Sequence, residues 1–248
     1  MNHSNQQRYA IIYREVFNTS ILGNSVRDFT AFDDIFSRPR NDNVELLKAW
    51  AGTTLAFAIM QTGAANLLSS QFVINLVIAA VVAGIGFVLH ELAHRIVARG
   101  YGAQAHFIAN DRWLILSILI SFLGIFIAAP GAVWHRGLLT VRQSGLIALA
   151  GPVTNLVLAI VFLLLFIPIF LLRPPFTDLL ITICYVGFRF NAWIGLFNMI
   201  PAGPFDGAKV LAWDWRIFAV TVAVGVGLTF LISDRVLFDV LRTILRVF

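Results

Sequence analysis

Residues 72–98 read FVINLVIAAVVAGIGFVLHELAHRIVA, and this stretch decides the fold. Phe72 to Leu89 carries no charge, and the uncharged run extends back to Ala49. At about 1.5 Å per residue a helix over 72–98 reaches roughly 40 Å, enough to cross a hydrocarbon core of about 30 Å and project beyond it. His90, Glu91 and His94 fall within one or two turns of the exit that Arg95 and Arg99 mark, at a depth water can reach. An ionisable side chain in an apolar span costs several kcal/mol unless it is paired or functional, and here three share one turn.

Their spacing is itself informative. Positions i and i+4 share one helix face, so the imidazoles of His90-Glu91-Leu92-Ala93-His94 can grip a single metal ion. Glu91, beside the first ligand, is then placed as general base for an attacking water. This is a zinc-protease signature inside an apolar span, and it points to a hydrolase whose peptide substrate lies in the membrane. A transporter or channel could use the same ligands without hydrolysis, but a transit site needs no base beside the first of them.

Hydrophobic residues make up 59% of the chain and charged residues 12%, which excludes a soluble domain of 248 residues. The net charge of +5 does not point to nucleic acid, because the arginines are scattered rather than gathered on one face. They read as anchors at the cytoplasmic surface of a cell membrane crossed several times. Cys184, the single cysteine, lies in an apolar segment and reads as a buried thiol. Tyr9–Tyr13 is too short an apolar stretch for a signal-peptide core.

Three parts follow from the pattern. Residues 1–48 are polar and mixed in charge, an extramembrane segment expected on the cytoplasmic side. Residues 49–232 form the membrane-embedded part, and 233–248 carries Arg235, Asp239, Arg242 and Arg246 among apolar residues, as an amphipathic interfacial helix would. Within the membrane part, spans are expected over 49–68, 72–98, 144–172, 176–200 and 210–232, with breaks at Ser69-Ser70-Gln71, Arg173-Pro174-Pro175 and 201–207. Trp113 to Val133 is long enough to cross but is interrupted by Gly124, Pro130 and Gly131. The expected fold is an all-α polytopic membrane protein of about five to six transmembrane helices, with a re-entrant or β-hairpin segment near 113–133.

A catalytic zinc usually takes three protein ligands and leaves one position open. A third His six residues after the second is ruled out by Gly100, and no Glu occurs after Glu91. Of the downstream carboxylates Asp206 is the best placed, at the end of Asn198-Met199-Ile200-Pro201-Ala202-Gly203-Pro204-Phe205-Asp206-Gly207. Two prolines break the helix there, and a carboxylate on broken backbone at membrane depth must face protein or a water-filled cavity. An Asp-Gly after prolines also reads as an ordinary turn.

Together these residues resemble a known family. The pentad His90–His94 with Asn198-x-x-Pro201-x-x-x-x-Asp206-Gly207 is similar to the two-part signature of the site-2 protease family of intramembrane zinc metalloproteases. Gly151-Pro152-Val153-Thr154-Asn155 resembles the small-xxx-Asn element of that family's third core helix. The similarity covers about residues 72–212 and is to compact members without a PDZ-like insertion, most like archaeal ones. It implies one zinc held by His90, His94 and Asp206, Glu91 as base, and Asn198 beside the scissile carbonyl, where its amide would share the oxyanion.

The substrate so implied is a transmembrane helix of another membrane protein, cut to release a tethered domain or to clear a remnant. Its carbonyls are tied up in helical hydrogen bonds, so it must unwind locally and needs a replacement partner such as a strand edge. Trp113–Val133, turning at Leu123-Gly124, is the candidate hairpin. Gly151 and Asn155 share a helix face and read first as close packing. Arg189, in mid-span, needs a carbonyl, Asp178 or the substrate as partner. His106 and His135 read as interfacial rather than ligating, and Asp214 and Arg216 as interface anchors. One ion must meet both His90 and Asp206, so residues 99–143 must leave and return on one side of the membrane.

Overall fold

The computed structural model describes residues 41–127 and 131–232. Most of the expected N-terminal segment and all of the amphipathic tail lie outside the described residues. Helix α1 (Asp42–Thr62) begins before the apolar run does, with Asp42 and Glu45 in its first turn, where the helix dipole favours acids. Helix α2 (Ser70–Gly100) is the long span, interrupted by one π-helical turn at Ala80–Gly84. The Trp50 indole of α1 donates to the Ala80 carbonyl at 3.1 Å in that turn.

Next comes a small ribbon. Strands β1 (Gln104–Ala109) and β2 (Gly131–Arg136) pair antiparallel, with Gln104 opposite Arg136 and Ala109 opposite Gly131. The expected hairpin is therefore present, but β1 precedes the 113–133 stretch and β2 takes only its last three residues. Between them lies helix α3 (Asp111–Ser121), capped by the Asn110 side chain accepting from the Trp113 N–H. Leu114 to Ile120 lacks the polar alternation of a half-buried strand, whereas in β1 Ala105, Phe107 and Ala109 are buried and their neighbours are not. Gly124, at φ +76°, turns the chain out of α3 instead of joining two strands. At 11 residues α3 is about 16 Å long, too short to cross, and the segment returns to where it left.

Helix α4 (Val141–Leu172) starts at a Thr140–Gln143 capping box and ends at Arg173, in left-handed conformation before the two prolines. Helix α5 (Thr177–Phe197) packs back on it. Two glycines permit the close approach: a Cβ at Gly187 would strike the Phe162 ring, and one at Gly195 would meet Leu156. The expected last span is broken at Asp214 into α6 (Asp206–Trp213) and α7 (Trp215–Leu231), because the Asp214 side chain accepts from the N–H groups of Arg216 and Ile217 and starts a new helix. Among the described residues α2, α4 and α5 are long and apolar enough to cross a membrane. Helix α1 carries Asp42, Glu45 and Lys48 in its first turns, and α7 is shorter.

Candidate metal centre

Helix α2 delivers both imidazoles and the first residue of α6 delivers the carboxylate. His90 Nε2 and His94 Nε2 lie 3.0 Å apart, and Asp206 Oδ2 stands 3.4 Å and 3.2 Å from them. Asp206 reaches this place through its local backbone. Pro201 and Pro204 stop α5 from continuing, and the Gly207 N–H then donates to the Asn198 carbonyl at 2.8 Å. A Cβ at Gly207 would collide with the Met199 carbonyl, so only glycine closes this turn.

The remaining ring nitrogens decide the tautomers. His90 Nδ1 is 2.5 Å from Asn155 Oδ1, and His94 Nδ1 is 2.7 Å from the Ile147 carbonyl. Both partners accept, so each Nδ1 carries the proton and donates it, leaving lone pairs on both Nε2 atoms. Two such lone pairs and a carboxylate oxygen, mutually 3.0–3.4 Å apart, repel one another without a cation between them. Ligand bonds of about 2.0–2.1 Å at tetrahedral angles place donor atoms roughly 3.3 Å apart, so the set fits zinc. Gly151 of α4 completes the fit, since a Cβ there would fall against both Nε2 atoms.

Glu91, next to His90, is only 7% exposed. Val133 of β2 lies beside its carboxylate. Strand β2 thus borders the centre. The His135 side chain stays out of the ligand set; burial pushes its imidazole down to about 4, with Lys209 adding to the shift.

The structure thus brings together His90, His94 and Asp206, with Glu91 adjoining. Asn198 caps α5, with its amide donating to Ile194 O at 3.0 Å. His106 pairs with Asp42, Asp111 with Lys48, and Arg189 donates to the Thr229 carbonyl at 3.0 Å, the carbonyl option among its expected partners. Asn155 does more than pack, because it orients His90. Asn191, fully buried, accepts from Asn155 Nδ2 at 2.9 Å and was not legible in the sequence. Its spacing from Asn198, on one face of α5, was the available signal.

The chain is 44% identical to "Putative zinc metalloprotease MJ0611" of Methanocaldococcus jannaschii over 146 residues, 58% of this chain and 74% of that one. It is 32% identical to "Putative zinc metalloprotease Rip3" of Mycobacterium tuberculosis over 56% of this chain and 31% of that one. "Putative zinc metalloprotease YwhC" of Bacillus subtilis is 31% identical over 51% of this chain and 64% of its own. No family model and no solved structure matches.

Proposed function

The chain belongs to the site-2 protease family of zinc metalloproteases, and from that premise we propose that it hydrolyses peptide bonds within or near transmembrane segments of other membrane proteins. One observation supports this most. His90, Glu91 and His94 are each under 10% exposed and sit in α2, a 31-residue helix apolar enough to cross the bilayer.

Zinc bound by His90, His94 and Asp206 would supply Lewis acidity, making a water more acidic and a carbonyl more electrophilic. Glu91 takes the proton of the attacking water and returns it to the leaving amine. The second amide hydrogen of Asn198, beyond the one held by Ile194 O, is available to the developing oxyanion. The edge of β2 that is not paired with β1 offers the unwound substrate a place for strand addition, which replaces its lost helical bonds. With Arg95, Arg99, Arg112, Arg136 and Arg142 on one face, the centre opens to the cytoplasm.

The test is a purified, zinc-loaded preparation given a single-pass substrate in nanodiscs, with the products mapped by mass spectrometry. A cut inside the membrane segment is the expected result. Zinc flux through proteoliposomes without any cut would instead favour the transporter reading, for which Glu91 has no use.

A further inference from the structure

We infer that Asn191 is a positioning residue of the metal centre: it fixes the amide orientation of Asn155, and through it the tautomer of His90. The polarity of the chain is set at its ends by backbone carbonyls, which can only accept. Asn191 Nδ2 donates to Gly187 O at 2.9 Å, so its Oδ1 must face Asn155. Asn155 answers with Nδ2, which also reaches Gly86 O at 3.3 Å. Its Oδ1 is then left for His90, whose Nδ1 has to donate and whose Nε2 has to keep its lone pair. Both asparagines are 0% exposed, so no water competes for these groups.

An amide can turn over, and a turned Asn155 would present N–H to His90 Nδ1. His90 would then hold its proton on Nε2, in the space the ion needs. Gly86 O restrains Asn155 through the longer of its two acceptor contacts, and Asn191 through the shorter. Gly86 also makes room for Asn191, because a Cβ there would lie 2.7 Å from Asn191 Oδ1. Helices α2, α4 and α5 thus meet at one polar thread that ends on a ligand.

This inference rests on the metal centre and not on where a substrate is cut, so zinc affinity is the readout. Chelator competition on the purified full chain would compare three variants with the parent, alongside the melting temperature of each zinc-free form. Asn191→Leu removes the acceptor while keeping the branched shape and is expected to weaken zinc binding about tenfold, as loss of outer-shell partners does. Asn191→Asp, as the protonated acid, donates to Gly187 O, keeps an acceptor oxygen towards Asn155 and is expected to bind zinc close to the parent. Gly86→Ala leaves every polar group in place but displaces Asn191, and should resemble Asn191→Leu; it carries the test if the leucine variant does not fold. Parent-like zinc binding in Asn191→Leu, or in Gly86→Ala when that variant carries the test, would overturn the assignment. So would an Asn191→Asp variant as weak as Asn191→Leu, since the loss would then follow packing and not polarity.

Discussion

A Cβ at position 151 would stand 2.5 Å from His90 Nε2 and against His94 Nε2 as well, where it would crowd a bound ion, so glycine there suits metal binding and not only helix packing. Gly151→Ala should cut zinc occupancy by about tenfold or more while leaving helix content intact, because alanine is the better helix former; metal analysis beside circular dichroism checks this. Asp206→Asn replaces an anionic ligand with a poor one and should likewise weaken zinc retention and cleavage, and unchanged values of both would move the third ligand elsewhere. His90, Glu91, His94 and Asp206 were legible because ligand chemistry requires few residue types at fixed spacings. The roles of Asn155, read first as packing, and of Asn191 were not, because what an asparagine on a small-residue face touches depends on how α2, α4 and α5 cross, which spacing along one helix does not fix.

Element by element, the apolar runs of α2, α4 and α5 and the breaks between them could be read from hydropathy, proline and glycine. The ribbon could be placed only roughly, since strands of six residues carry a weak alternation and pair across 21 residues or more of intervening chain. Its seat is an ionic one. Asp42 of α1 binds Arg95 and Arg99 of α2 at 3.0 Å and 2.9 Å and His106 of β1 at 2.9 Å. Glu45 Oε2 accepts from the Ala109 N–H at the other end of β1. Asp42→Asn leaves two guanidinium groups short of their counter-ion and should lower stability by about 1–3 kcal/mol, measured by denaturant titration in detergent. Zinc binding should survive it, since neither cluster shares a residue with the other.

For the whole molecule, the geometry ties topology to chemistry. Gln104 and Arg136 face each other across the ribbon, so the chain between them makes no net crossing. Gln104→Cys and Gly137→Cys, each in a Cys184→Ser background, should be labelled by an impermeant reagent from one and the same side, the cytoplasmic one; labelling from opposite sides would separate His94 from Asp206. The account as a whole stands on Glu91 acting as a base beside an intact metal site. Its most direct measurement sets the zinc content and the substrate cleavage of purified Glu91→Gln beside those of the parent. The prediction is one zinc per chain in both and cleavage lost in the variant, and near-parental turnover by Glu91→Gln would contradict it.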